Sequence, residues 1–193
     1  MLKKKLKIEP LNIALIMIDN NPTMESKPKF FKVTNKKEIH NGFVYQTGLN
    51  ILSGPFNDDV RESCGPGGLY FTTIKHIKNF YSHGVHLREV FLPTDDPEFK
   101  MVQDPTGEKY RANRIILGNK YYLFDPVLVE KFGLNITKNI YIRTNVLDMA
   151  SAMGRVDILK WWQSKVDINL LGSTTKAIDR ASENGHLDVL EWW

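Results

Sequence analysis

A gapless internal repeat constrains this chain more than any other feature. The run from Leu147 to Trp162 recurs from Ile178 to Trp193, at an offset of 31 residues. Eight of the sixteen aligned positions are identical, among them the doublets Trp161-Trp162 and Trp192-Trp193. A period of this length signals stacked supersecondary units. Each unit is too small to bury its own apolar face, so its neighbours bury it. The expected product is a binding scaffold.

Each copy reads as a short helix, a glycine and a second short helix. The first copy predicts helices over about Val146–Ala152 and Val156–Trp162, with Gly154 between them and Gly185 as its counterpart. Glycine there permits a left-handed turn. Ala150 and Ala181 are small where two helices approach closely. Asp157 and Asp188 fall in the first turn of the second helix, at the positive end of its dipole. Val156, Leu159 and Trp162 share one helical face, and Leu187, Leu190 and Trp193 repeat it. The repeat core and interaction residues are therefore expected among Leu147, Ala150, Gly154, Leu159, Trp162, Ile178, Ala181, Gly185, Leu190 and Trp193.

The segment Gly185-His186-Leu187-Asp188-Val189-Leu190-Glu191-Trp192-Trp193 resembles the ankyrin repeat in the divergent form found in giant-virus ankyrin proteins. The resemblance covers about Asn145–Trp193. The usual Thr-Pro-Leu-His opening is replaced by Asn145-Val146-Leu147-Asp148 and by Lys176-Ala177-Ile178-Asp179, which bears on the β-turn and not on the paired helices. His186 reads as a helix-entry residue, not a ligand. Stable stacks need about three repeats, and two are legible. The chain is thus expected to be a shortened relative of longer arrays, or a piece of one. Its last helix should be its least stable element, Trp192 or Trp193 should be exposed, and this end should be the site of any self-association.

At 193 residues there is room for a second, ordinary domain. The single cysteine, Cys64, excludes an internal disulfide framework and a multi-cysteine zinc site. It fits a reducing compartment, read as host-cell cytoplasm or virion interior. The formal charge of +4 owes much to Lys3, Lys4, Lys5 and Lys7, so it marks no nucleic-acid face. The apolar run Leu11–Ile18 is short and lacks a small-residue cleavage site, so a leader or linker is expected over residues 1–26. No stretch reaches the roughly 18 apolar residues of a membrane span.

Residues 27–135 alternate short strands with turn signals, which predicts a compact α+β domain ahead of an all-α ankyrin-type stack over 136–193. Strands are expected at Phe30–Thr34, Leu69–Thr72, Leu87–Leu92, Phe99–Val102 and Arg114–Leu117. Asn41-Gly42 reads as a hairpin turn within Glu38–Thr47. Thr73 should cap a helix reaching Ser82, with His83-Gly84 closing it. Gly118-Asn119 should turn the chain into a further strand, Tyr121–Phe124. Val127–Phe132 reads as a short helix ended by Gly133, and with Asn135–Ile142 it should cover the first repeat. Thr47–Asn50, Gly68–Thr72, Leu87–Pro93 and Tyr110–Gly118 also resemble the domain that precedes repeats in the same viral proteins, for which no activity is implied.

Chemistry is sparsely signalled. Gly65-Pro66-Gly67-Gly68 lacks the Gly-Lys-Ser/Thr ending of a phosphate loop and precedes a strand, so a tight turn is expected. His76, His83 and His86 have no metal-binding spacing and read as solvated helix-end residues. One further resemblance bears on function. Gly67–Phe71, then Asn79-Phe80-Tyr81, then Leu87–Val90 is similar to the core of poly(ADP-ribose) polymerase-type transferases. It implies His40, Tyr70 and Tyr81 as the corresponding site residues. His40-Asn41-Gly42 replaces that family's adjacent His-Gly, and the late strand carries Arg114 where a catalytic glutamate would stand. An arginine cannot stabilise positive charge at a ribose carbon. The reading is a non-enzymatic adaptor without cofactor that binds host or viral proteins, not nucleic acid or membrane. The alternative is an ADP-ribosyltransferase-like domain targeted by the repeats.

Overall fold

A computed structural model of the chain describes residues 30–134, 136, 140–167 and 175–193, with side chains of the last two segments from Val146 onward. The expectations for residues 1–29 lie outside it. Among the described residues, nine strands precede five α-helices. The strands are β1 (Phe30–Thr34), β2 (Ile39–His40), β3 (Phe43–Val44), β4 (Gly48–Ile51), β5 (Leu69–Thr73), β6 (His86–Phe91), β7 (Met101–Gln103), β8 (Lys109–Ala112) and β9 (Arg114–Tyr122). The helices are α1 (Pro126–Phe132), α2 (Ile140–Ala152), α3 (Val156–Lys165), α4 (Thr175–Glu183) and α5 (Leu187–Trp192). Seven strands form one sheet in the order β4-β9-β6-β1-β5-β8-β7, with every pairing antiparallel. β2 and β3 make a separate hairpin about Asn41 and Gly42, both with positive φ. A strand-rich region followed by helical repeats is compatible with the α+β and ankyrin reading.

Two apolar clusters lie on this framework. Leu69 and Phe71 join Tyr45, Val90, Ala112, Ile115 and Leu117 in one, while Tyr70 between them stays outside it, as strand alternation requires. Phe31, Val33 and Leu87 project into the other, which runs on through α1 to the repeat helices. Leu128, Val129, Leu134 and Ile136 share this second cluster with Leu147, Leu159 and Trp162. Val127 does not; it is exposed. The covering role expected of Val127–Phe132 thus falls on the inward positions of α1. Of the segment Asn135–Ile142, Asn135 and residues 137–139 lie outside the described residues.

Several local expectations are corrected. Gly118-Asn119 makes no turn, because β9 runs unbroken from Arg114 to Tyr122. The β6–β9 register moves from Arg88↔Lys120 to Val90↔Leu117, so Gly118 and Asn119 together face Glu89: a β-bulge. A side chain on Gly118 would meet the Phe91 ring at 2.6 Å. Buried Glu89 accepts from the Asn119 amide nitrogen at 3.2 Å, from Asn119 Nδ2 at 2.9 Å and from the Tyr121 hydroxyl at 2.7 Å. The glycine serves close approach and the asparagine saturates a carboxylate.

Thr73 caps no helix; it ends β5, and the helix that follows is a 3-10 turn over Ile77–His83. Thr72, Thr73 and Ile74 are β-branched and favour extension. The first helical turn also carries no acid to meet its dipole, with Lys75 and Lys78 close by. Strand β8 was not expected, because Lys109 and Arg111 break the apolar pattern, and the strand placed at Phe99–Val102 begins at Met101. The first repeat helix starts at Ile140, six residues before the expected Val146. His86 opens β6 instead of ending a helix.

Candidate binding sites

The repeat units are tied together by polar contacts, made in part from non-equivalent positions. Trp193 bonds backward in the second unit, whereas Trp161 does so in the first, and Trp162 Nε1 has no hydrogen-bond partner among the described residues. Gly154 and Gly185 both adopt the left-handed turn, with φ of 67° and 71°. His186 lies over Gly154, and its Nε2 sits 3.2 Å from the Ala152 carbonyl. A side chain at Gly154 would come within 2.7 Å of the His186 ring. Trp193 Nε1 donates to Ser151 Oγ at 3.0 Å. In the first unit the position of His186 is taken by Arg155, which reaches back to Asp125 at 3.2 Å and also holds Asp157. Trp161 Nε1 donates to Glu130 Oε1 at 3.3 Å. Asp125 caps α1 through the Val127 amide, and Glu130 lies on α1. α1 therefore receives from the first unit the kind of backward contact that the first unit receives from the second.

The residues singled out by the repeat divide by face. Leu147, Ala150, Leu159, Trp162 and Ala181 are buried, whereas Leu190 and Trp193 are half-buried. Ile178 departs from the core expectation at 44% exposed, against 2% for its counterpart Leu147. Leu187 is 71% exposed, where its counterpart Val156 is half-buried. Both positions are thus more open on the second unit than on the first. Val189 and Ala177, absent from the expected core set, are fully buried. Their signal was available in the counterparts Ile158 and Val146, both apolar.

A second site opens in the sheet. β1 pairs with β5 only at Phe30↔Thr73 and Phe31↔Thr72, while on its other edge it pairs with β6 as far as Thr34. Beyond Phe31 the two strands splay, and Lys32 spans the gap, donating from Nζ to the Tyr70 carbonyl at 2.8 Å. A cavity of about 160 Å³ lies there. Phe31, Tyr70, Phe71 and Phe80 give it aromatic walls, and Lys32, His40, His83, Lys109 and Cys64 also line it. The His40 and His83 rings meet edge-on with centroids 5.4 Å apart. Burial and the Lys32 charge lower the pKa of both.

The loop that brings Cys64 to the cavity is held by Arg111, fully buried. Its guanidinium donates to the carbonyls of Asn57 at 2.8 Å, Glu62 at 2.6 Å and Asp59. Gly68 must be a glycine here, since a side chain would strike Arg111 at 2.8 Å, and Gly67 has φ of 87°. The glycine run is a tight turn, as expected. Lys109 is committed to Asp104 at 3.1 Å and donates to Ser63 Oγ at 3.1 Å. Burial opposes ionisation of Asp104, yet hydrogen bonds from Thr106, Lys109 and Ser63 prevail and hold its pKa at about 2. Hydrogen bonding from Lys109 and Ser63 lowers the Cys64 thiol.

Of the transferase-type residues, His40 and Tyr70 line this cavity. Tyr81 does not; it is buried in the apolar cluster that runs to the repeats. Among the described residues the cavity lining holds no carboxylate, and Arg114 is taken up by Asp96 and Glu98. Among the described residues, no group of three or more His, Cys, Asp or Glu could hold a metal, and no helix is long and apolar enough to cross a membrane.

Comparison with known proteins places this geometry. The family model "Ankyrin repeats (many copies)" matches residues 147–192. The ankyrin repeat protein R868 of Acanthamoeba polyphaga mimivirus is 47% identical over 68% of this chain and 64% of its own length. An uncharacterized protein of that virus, R869, is 54% identical over 67% of this chain and 94% of its own. The ankyrin repeat protein R896 is 42% identical over 68% of this chain, but only 39% of its own length is matched. The chain thus spans less than two thirds of two of these three relatives. No solved structure matches it. On the family model and these relatives together, the chain belongs to the ankyrin-repeat proteins of giant viruses.

Proposed function

We propose that this chain is a non-enzymatic adaptor, with the outer face of its second repeat as the docking surface for a host or viral protein. Ankyrin repeats are protein–protein interaction modules, and the chain carries them. One observation supports the finer reading. Ile178 and Leu187 stand open, whereas their first-unit counterparts Leu147 and Val156 are buried and half-buried. Exposed apolar patches mark interaction sites, and the second repeat carries both of these side chains. Host-cell cytoplasm or virion interior, where a thiol such as Cys64 stays reduced, fits this role.

The transferase alternative has one observation in its favour: His40 and Tyr70 share a cavity. Against it stands the lack of a carboxylate in that cavity among the described residues, since glycosidic cleavage at a ribose needs a carboxylate to stabilise the cation. Two experiments divide the readings. Ile178→Lys with Leu187→Glu should abolish capture of the partner by the intact chain, with the far-UV spectrum unchanged. NAD should leave the melting temperature where it is, because a ligand that does not bind the native state gives no linkage. A saturable NAD shift with transfer to an acceptor would replace the adaptor reading.

A further inference from the structure

The cavity between β1 and β5 carries an inference of its own, independent of the repeats. Five charged residues of the described chain are buried: Lys32, Arg88, Glu89, Asp104 and Arg111. Four of them have an ion pair or several hydrogen bonds each, although Arg88 Nε itself makes no hydrogen bond. Glu89 and Arg111 each have at least three hydrogen-bond contacts, Asp104 is paired with Lys109, and Arg88 bonds Thr47 at 2.7 Å beside Glu38 at 3.4 Å. Lys32 is different. It is 4% exposed, yet among the described residues its ammonium has one hydrogen-bond acceptor, the neutral Tyr70 carbonyl, and no ion pair. The face of the Tyr45 ring, 4.4 Å away, is its other electrostatic partner. A buried cation without a counter-ion is costly, and among the described residues two of its three protons have no acceptor.

The space beside this ammonium has a definite character. His40 and His83 face it, and among the described residues no carboxylate lines it. Its walls are aromatic rings from β1, β5 and the 3-10 helix. Its volume, about 160 Å³, is close to the roughly 150 Å³ that suffices to hold one benzene ring. An anion would supply the missing counter-charge, and a flat unsaturated body would fill the ring-lined remainder.

We propose that this cavity binds a small organic anion, a single carboxylate or phosphate head on a planar, ring-sized body. Lys32 is the counter-ion to the head, His40 and His83 are secondary donors, and Phe80 and Tyr70 flank the body. The step is binding alone; no bond is made or broken.

The test titrates the full chain near pH 6, below the ordinary histidine pKa of about 6.5, with benzoate, phenyl phosphate, inorganic phosphate and neutral benzamide. Calorimetry should show saturable binding of benzoate and phenyl phosphate. Inorganic phosphate and benzamide should each bind at least about tenfold more weakly, the first lacking the body and the second the charge. Lys32→Met should lose at least about tenfold in affinity for both aromatic anions, and Phe80→Ala should erase the preference for phenyl phosphate over inorganic phosphate. In the parent chain, the ring protons of His40 and His83 should move toward their protonated positions as benzoate is added. That readout stands without any variant. No binding at millimolar benzoate or phenyl phosphate would overturn the proposal. So would equal binding of benzamide and benzoate, retained affinity in folded Lys32→Met, or histidine signals that do not move.

Discussion

Lys32 is the residue at which this fold departs furthest from ordinary economy. Its neighbours Phe31 and Val33 point to the cluster shared with the helices, so strand alternation sends Lys32 to the opposite face, toward Tyr45. Burial pulls its pKa from 10.5 down to about 7. The sign of the resulting pH dependence follows from proton counts. Below pH 7 the lysine is charged in both folded and unfolded chains, and its burial is fully unfavourable. Between about 7 and 10.5 the folded chain has released a proton that the unfolded chain still holds. Stability therefore rises with pH across that window. Lys32→Met, of similar length and without charge, should be more stable than the parent near pH 6 and lose that advantage toward pH 10. Urea midpoints of the two proteins across the range give the difference, with the release of His40 and His83 from the Lys32 charge adding to it only at the acid end. Parallel curves would show that Lys32 keeps its ordinary pKa and that the cavity is wetter than its geometry indicates.

Between elements, the turn joining the two helices of a unit shows how one sequence position acquires two meanings. Gly154 and Gly185 share the left-handed conformation, so alanine at either is expected to cost about 1 kcal/mol from backbone strain. Only Gly154 has a neighbour in the way, the His186 ring; Gly185 meets nothing within 4 Å. Gly154→Ala should therefore cost about 1–2 kcal/mol more than Gly185→Ala, because the ring must give up its place beside the Ala152 carbonyl. Denaturant unfolding of the two variants checks this, and equal losses would mean that His186 moves aside freely. The paired helices, the left-handed glycines and the buried alanines were legible because a repeat states each requirement twice. The inter-unit bond from Trp193 to Ser151 was not, since a serine on a helix face carries no sign of its partner. The bulge at Gly118-Asn119 was misread for a related reason. Glycine followed by asparagine looks the same whether the backbone turns or a ring such as Phe91 needs room. The cavity was legible only in fragments. His40, Tyr70 and Cys64 are far apart in the chain, and the splay of β1 from β5 that joins them is a matter of pairing, which local pattern does not encode.

At the scale of the whole molecule, one apolar cluster runs from the sheet face through α1 into the repeat helices, so the repeats start from a packed base and become less covered with distance from it. Trp162 is fully buried, Trp193 is half-buried, and Leu187 at the head of α5 is 71% exposed. Burying a large aromatic or aliphatic side chain contributes about 1.5–3 kcal/mol, so each step outward loses part of that gain. In α3, Ile158, Leu159 and Trp162 are all buried, whereas in α5 only Val189 is. Opening free energies follow such local burial. Amides of Leu187–Trp193 should therefore exchange at least about tenfold faster than those of Val156–Trp162 in dilute protein. Raising the protein concentration, or adding a partner that covers Ile178 and Leu187, should slow them selectively. The substitutions Ile178→Lys and Leu187→Glu should remove that concentration dependence while leaving the exchange of α3 unchanged. Equal protection of α3 and α5 in the dilute monomer would show that Trp193, through Ser151, anchors the last helix as firmly as full burial anchors Trp162. The outer face would then be a finished surface instead of one awaiting cover.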